Sequence, residues 1–176
     1  ANPALATAID LRRQPDPEHV LRGFLRRGER FDATLCNPPF HGSPAEAGAR
    51  TRRKWKALDR PADADSPRRN FGGQGHELWC PGGERAFVTT LIDESRAIAR
   101  RCLWFSSLLS RAENLRPVEA ALQAAGVATW RVVPMAQGQK RSRLVAWSYL
   151  PERERRLWAR SRPAGTASTT DHPVPG

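Results

Sequence analysis

The sequence predicts an α/β domain with a mostly parallel sheet, helices on its faces and a reversed last strand at the sheet edge. Strand-like and helix-like segments alternate along most of the chain. A short loop joins the last two strand-like segments, which is typical of an antiparallel pair. The length of 176 residues suits one domain with a single core.

The first half of the chain contains two predicted strands and one predicted helix. Residues 8–13 are typical of a short strand and residues 17–25 of a helix. Residues 31–36 form the second strand, which ends at the run 37–40 because its consecutive prolines cannot continue a strand. Between residues 41 and 80 the hydrophobic periodicity is weak, so we expect an irregular insertion within the domain.

The second half contains stronger periodic signals. Apolar residues recur at three- and four-residue spacing over residues 84–100, and arginines crowd the end of this helix, where its dipole favours cations. The remaining predicted segments are a strand at 102–109, a helix at 117–125, strands at 127–134 and 143–150 with a loop between them, and a charged helical stretch ending at Arg160.

The two ends of the chain carry further expectations. We expect residues 1–160 to form the domain and residues 161–176, rich in Pro, Gly, Ser and Thr, to form a disordered tail. The chain starts at Ala1 rather than at a methionine, and its first residues resemble the end of a helix. We therefore expect a fragment of a longer protein.

The charge balance favours a polyanionic partner. Lys and Arg total 29 against 18 acidic residues, which gives a formal charge of +11. Such an excess attracts RNA, although arginine-rich solvated surfaces produce the same balance. Three cysteines without a Cys-x-x-Cys pair, no long apolar run and no signal sequence predict a cytoplasmic protein without membrane contact, and we expect a monomer.

The run Asn37-Pro38-Pro39-Phe40 carries the chemical signal. It follows a strand of a mostly parallel sheet, where ligands bind at the carboxyl ends of the strands. The Asn37 side-chain oxygen and the Pro38 carbonyl can accept both N–H groups of an aromatic amine and localise its lone pair. Prolines fix φ and bring no competing N–H donor, while Phe40 can stack on a base. A turn that merely ends a strand is the structural alternative.

Residues 31–41 (Phe-Asp-Ala-Thr-Leu-Cys-Asn-Pro-Pro-Phe-His) resemble the motif of adenine-amine methyltransferases. More specifically, they resemble the bacterial 23S ribosomal RNA adenine N-6 methyltransferases, which are related to the eukaryotic U6 small nuclear RNA enzyme. Residues 70–84, 104–115 and 135–147 contain further matching segments, so the resemblance spans about residues 1–160.

The resemblance implies a Rossmann-like class I methyltransferase fold that uses S-adenosylmethionine to methylate one adenine of 23S ribosomal RNA. It assigns the catalytic site to Asn37, Pro38, Pro39 and Phe40. Family members carry a glycine-rich cofactor loop after the first strand and an acidic residue after the second, and both would precede Ala1. We therefore expect an N-terminally truncated domain that binds cofactor poorly, with Asn37, Arg13 and Gln14 as its cofactor contacts.

Two basic segments are candidates for RNA contact. The loop carrying Gln139, Lys140 and Arg141, followed by Arg143, can hold phosphate groups. The stretch that includes Arg52, Arg53 and Lys54 combines positive charge with an adjacent tryptophan. For both segments the alternative is an ordinary solvated surface.

Other clusters are less informative. Cys36, His41, His76 and Cys80 fit no strong zinc signature, so we expect no metal. The tryptophans of the predicted strands, Trp104, Trp130 and Trp147, are expected in the core. Arg111 and Asn114 can line a pocket, although helix capping is the simpler role for Asn114.

Alternative functions are a non-catalytic RNA-binding remnant and methylation of another RNA, a DNA adenine or a protein glutamine.

Overall fold

The computed structural model describes residues 8–23, 25–43, 45, 79–138 and 140–161, without the side chains of Gln137 and Lys140. Most of the expected insertion and nearly all of the expected tail lie outside these ranges, so the expectations for them stay predictions. Within the described part, no helix is long and apolar enough to span a membrane.

The described residues form a mixed sheet with helices. The strands are β1 (Phe31–Ala33), β2 (Cys102–Leu109), β3 (Thr129–Gln137) and β4 (Lys140–Ser148), and the helices are α1 (Gly83–Ser95), α2 (Leu115–Ala124) and α3 (Glu152–Arg160). The strand order is β1-β2-β4-β3, with β1 parallel to β2 and with β4 antiparallel to both β2 and β3. Only β4 therefore runs against the others, which confirms the predicted α/β class and the reversed last strand.

The reversed strand lies inside the sheet, not at its edge as expected. Val145 and Trp147 of β4 are completely buried, whereas Val133 and Met135 of β3 are 46% and 45% exposed. The strand with the larger buried surface occupies the interior position. Trp147 is thus a core residue as predicted, but Trp130 of β3 is 37% exposed, which corrects its assignment to the core.

The core lies between one face of the sheet and the helices α1 and α2. Phe105 and Trp147 are completely buried and stack with ring centroids 5.8 Å apart. Burying an aromatic or branched side chain of this kind stabilises the fold by about 1.5–3 kcal/mol. The helices contribute further buried apolar residues to the same cluster: Val88, Leu91, Ile92, Val118 and Leu122.

The last two strands are joined by a hairpin that is longer than predicted. The expected loop at residues 135–142 is mostly strand, since paired residues continue to Gln137 and Lys140. Arg143 pairs with both Leu109 of β2 and Pro134 of β3, and three further pairs of β3 and β4 lie beyond this level. At roughly 3.4 Å per residue, these pairs carry the hairpin about 10 Å past the carboxyl end of β2.

The N-terminal elements were predicted wrongly. Residues 8–13 contain no strand and residues 17–23 contain turns instead of a helix. The N–H groups of Val20, Leu21 and Arg22 all donate to one carboxylate oxygen of Glu94, at 3.0, 2.6 and 3.1 Å. Backbone donors used in this way cannot make the bonds of a helix. Burial alone would raise the pKa of Glu94, but these donors and the His19 ring lower it below its ordinary value.

Helix α1 begins at a glycine pair with left-handed backbone. Gly82, the residue before the helix, has φ +76, and a Cβ atom placed on it would lie 2.6 Å from the Ala86 Cβ. Gly126, which follows α2, has φ +70 but no atom within 4 Å of the same position. The two glycines therefore share the same conformational demand and differ in crowding.

Substitution of Gly82 by alanine should destabilise the protein more than substitution of Gly126. Both variants carry the left-handed cost of about 1–2 kcal/mol, but only Gly82→Ala also forces a clash. Urea unfolding measures the free energy of unfolding of the two variants. Equal losses would show that the crowding at Gly82 is relieved without cost.

Candidate functional site

The sheet places the proline motif at the carboxyl ends of two parallel strands. Beyond β1 the chain stays paired with β2, since the Cys36 N–H donates to the Ser106 carbonyl at 3.1 Å and the Leu108 N–H donates to the Cys36 carbonyl at 2.9 Å. Asn37 follows directly. The motif is therefore held at the edge of the sheet where sites of α/β proteins are found.

Exposure divides the motif into a fixed part and an accessible part. Pro38 and Pro39 are buried, Phe40 is half-buried and Asn37 is exposed. Since proline fixes φ and these rings are packed, the backbone at Pro38 has little freedom. The carboxamide of Asn37 is consequently presented to solvent from a rigid base.

The chain leaves the motif and meets the start of α1. His41 forms a parallel bridge with Trp79, and the Cys80 N–H donates to the His41 carbonyl at 3.0 Å. A Cβ atom placed on Gly83 would lie 3.3 Å from the Gly42 nitrogen. The end of the motif and the first turn of α1 are therefore in direct contact.

A buried carboxylate connects α1 to the loop after β2. Glu84 is 2% exposed and accepts hydrogen bonds from the Ser110 N–H at 2.6 Å, the Arg111 N–H at 3.2 Å and the Asn114 side-chain amide at 2.8 Å. Asn114 makes no side-chain cap on α2, so the predicted capping role is wrong. Sequence reasoning missed Glu84 because an acidic residue in a first helical turn is most often exposed.

The two predicted cofactor contacts near the N-terminus lie in a different local network. The Gln14 side-chain amide donates to the Arg22 carbonyl at 2.7 Å, and its oxygen accepts from the Asp16 N–H at 3.2 Å. Arg13 is exposed. Gln14 thus stabilises the turn at residues 14–22, and a role of either residue toward a cofactor stays a prediction.

The predicted RNA contacts fall only partly within the described residues. Arg141 is exposed and Arg143 half-buried on the outer half of the hairpin, and they share one face because they are two positions apart. Lys140 is placed by its backbone pairing with Gln137. Arg52, Arg53, Lys54 and Gln139 lie outside the described residues.

The cysteine and histidine residues do not form a metal cluster in the described part of the chain. His76 lies outside it. Burial raises the pKa of Cys36 to about 11. Burial also raises the pKa of Cys102 to about 11, although weaker hydrogen bonds with the backbone act to lower it. Burial also raises the pKa of Cys80. Thiols held in the protonated form are poor metal ligands.

Comparison with known proteins identifies the family. The sequence pattern of a family described as RNA methyltransferase matches residues 1–151. The chain belongs to this RNA methyltransferase family.

Curated relatives agree with this assignment. The chain is 52% identical over 164 residues to Ribosomal RNA large subunit methyltransferase F of Dechloromonas aromatica (strain RCB), a match covering 92% of this chain and 48% of that protein. It is 51% identical over 163 residues to the protein of the same name from Pseudomonas aeruginosa (strain LESB58), covering 92% and 48%. The chain therefore spans about half the length of these relatives.

Solved structures confirm the α/β methyltransferase fold. The hMettl16 catalytic domain in complex with MAT2A 3'UTR hairpin 6 matches with a TM-score of 0.52 and 27% identity, covering 69% of this chain and 41% of that chain. A structure named human methyltransferase 10 domain containing protein matches with a TM-score of 0.54 and 21% identity, covering 84% and 50%.

The raised pKa values predict slow thiol chemistry. At pH 8 a thiol with a pKa of about 11 is ionised to about 0.1%, so Cys36 and Cys102 should resist Ellman's reagent until the protein unfolds. In the unfolded chain these two thiols have their ordinary pKa of 9.0, so they ionise at lower pH than in the folded protein. The free energy of unfolding should therefore fall as pH rises from 9 to about 11. Rapid labelling of Cys36 in the folded protein at pH 8 would contradict the burial.

Proposed function

We propose that this chain supplies the target-base half of an S-adenosylmethionine-dependent methyltransferase that methylates the N-6 amine of an adenine in 23S ribosomal RNA. The observation that carries the proposal is the exposed Asn37 carboxamide, mounted on buried prolines at the carboxyl end of a parallel strand. Membership of the RNA methyltransferase family and the names of the curated relatives support it. We propose a cytoplasmic monomer without membrane contact.

The proposed chemistry needs acceptors and alignment. An adenine amine is a weak nucleophile because its lone pair is delocalised into the ring. The Asn37 oxygen and the Pro38 carbonyl accept its two N–H groups, which favours the localised lone pair, and Phe40 stacks on the base. Pro39 stiffens the turn between these groups. Positioning of this kind lowers the barrier without a strong general base. Pro38 is buried, so a bound base has to displace the groups that cover its carbonyl, whereas the Asn37 oxygen is accessible.

S-adenosylmethionine, when bound, supplies an electrophilic methyl group on a sulfonium. Asn37 is accessible enough to face it, and Arg13 and Gln14 remain its proposed further contacts. Gly82 and Gly83 lie at the start of a helix, and in the described stretch directly before them only Trp79 forms a bridge, so we do not assign them to the family's cofactor loop. We therefore propose that this chain by itself binds the cofactor weakly, and calorimetry with S-adenosylmethionine tests this.

The RNA contact is proposed for the hairpin. Arg143 lies level with the end of β2 and Arg141 extends past it, at the edge of the sheet that also carries Asn37. Cations placed there bind the phosphates that flank a target base. We propose the same role for Gln139 and Lys140, and for Arg52, Arg53 and Lys54.

Replacement of Asn37 by alanine should abolish most methyl transfer. Loss of one preorganised hydrogen-bonding group that stabilises a transition state costs about 10²–10³ in kcat. The test uses the complete natural polypeptide that carries this chain, a 23S ribosomal RNA transcript and mass spectrometry of N-6-methyladenosine. Gln123→Ala, which removes an exposed carboxamide from α2, is the matched control.

Near-normal turnover of Asn37→Ala would remove the proposed mechanism. RNA binding with no methyl transfer by the unchanged polypeptide would favour the non-catalytic remnant. Transfer to DNA or to a glutamine amide, but not to ribosomal RNA, would keep the chemistry and change the substrate.

Neutralising Arg141 and Arg143 together should weaken RNA binding and flatten its salt dependence. Each lost phosphate contact lowers the slope of log K against log salt by about 0.7–0.9. Arg153 and Arg160 are exposed on α3, which packs beside Arg30 and Arg100 at the opposite edge of the sheet. The control variant replaces both Arg153 and Arg160 by glutamine. It changes the charge by the same amount and should keep the slope of log K against log salt. Equal slopes for both double variants would show that the hairpin has no specific role.

A further inference from the structure

We propose that Glu84 is a positioning residue of the candidate site, holding the loop after β2 in place beside the Asn37 motif. This inference rests on the proposed function, because it concerns the geometry in which the target adenine is methylated. We assign Glu84 no contact with the base or the cofactor. It acts through the backbone that it binds.

The carboxylate is fully engaged. One oxygen of Glu84 accepts from the Ser110 N–H, and the other accepts from the Arg111 N–H and the Asn114 side-chain amide. Charge-assisted bonds of this kind are shorter and stronger than neutral ones. Together they fix the loop in position and orientation, which a single apolar contact cannot do.

The loop that Glu84 holds is part of the candidate site's edge. Ser107 pairs with Cys36, so Leu108 and Leu109 are level with Asn37 and Pro38 along the two parallel strands. Ser110 and Arg111 follow at once. They therefore border the place where a base held by Asn37 has to lie.

The other side of the same helix start contacts the motif itself. Gly83 packs against the backbone of His41 and Gly42, so close that a Cβ atom would lie 3.3–3.5 Å from it. Gly83 and Glu84 thus join the two segments that emerge from β1 and β2. A shift of Glu84 moves one wall of the site relative to the other.

A buried carboxylate is costly, which argues against a role in packing alone. Desolvation of the charge opposes its burial, and an apolar side chain at this position would fill the same space without that cost. Unlike such a side chain, the carboxylate accepts from the Ser110 and Arg111 N–H groups and the Asn114 amide, and these bonds define where the loop lies.

Ser95 offers a stability control on the same helix. It is completely buried, and its hydroxyl accepts from the Trp147 indole N–H at 3.1 Å and donates to the Ile92 carbonyl at 2.6 Å, both within the core. Ser95→Ala should therefore lower the melting temperature as Glu84→Gln does, while kcat stays within twofold of the unchanged protein.

The experiment measures steady-state methyl transfer to 23S ribosomal RNA by the complete natural polypeptide that carries this chain. In Glu84→Gln the new NH2 group faces donors, so the loop is released, and we expect kcat to fall about tenfold or more. The KM for RNA should change less than threefold because the hairpin arginines are untouched. Asn114→Ala keeps the carboxylate and should lower kcat by a smaller factor. It replaces Glu84→Gln as the test of the inference if that variant does not fold.

Exchanging the carboxylate and the carboxamide between residues 84 and 114 should restore kcat. In Glu84→Gln combined with Asn114→Asp, the Gln amide can donate to the new carboxylate while its oxygen still accepts from Ser110. Recovery of kcat to within about threefold of the unchanged protein supports positioning.

The outcomes separate the two proposals. If the unchanged protein methylates RNA and Glu84→Gln keeps kcat within twofold, or loses no more than Ser95→Ala, the inference about Glu84 is overturned and the proposed function stands. If the unchanged protein transfers no methyl group to any adenine, the proposed function fails and this inference fails with it.

Discussion

The parallel pairing of β1 with β2, continued to Cys36, is the constraint on which the candidate site depends. Two bonds, from the Cys36 N–H to Ser106 and from the Leu108 N–H to Cys36, bring the ends of both strands to one level. A slip of one residue would turn every side chain of β1 to the opposite face. The register therefore decides that Asn37 leaves the sheet next to the loop at residues 110–114.

Helix α1 stabilises this arrangement through two buried carboxylates at opposite ends. Glu84 binds the loop after β2 and Glu94 binds the turn at residues 20–22, each through several N–H donors. Its apolar face meanwhile packs on the sheet through Val88, Leu91 and Ile92. One helix thus couples the core to the loop after β2 at one end and to the N-terminal turn at the other.

Charge is distributed differently over the two edges of the sheet. At the carboxyl edge, the hairpin places Arg143 level with the end of β2 and carries Arg141 past it. At the opposite edge, Arg30 is engaged with the Trp158 ring and Arg100 with Glu154, while Arg153 and Arg160 are exposed on α3. The net charge of the chain therefore says less about RNA binding than the place of each cation does.

The sequence by itself determined the α/β class, the full extent of β2, the existence of α1 and α2, and the place of the proline motif after a strand. These features depend on local period and on residue types such as proline, which act within a few positions of the chain. It also led to the family through the run at residues 31–41, which the comparison with known proteins confirmed.

Only the tertiary structure decided which distant groups bind one another. Residues 17–23 have a helical pattern, yet they form turns because Glu94, more than 70 positions away, takes three of their N–H groups. Glu84 is equally inconspicuous in the sequence, and its role arises from Ser110 and Arg111 across the fold. Local patterns encode which side chains are buried, whereas the partner of a buried charge is set by which segments the folded chain brings together.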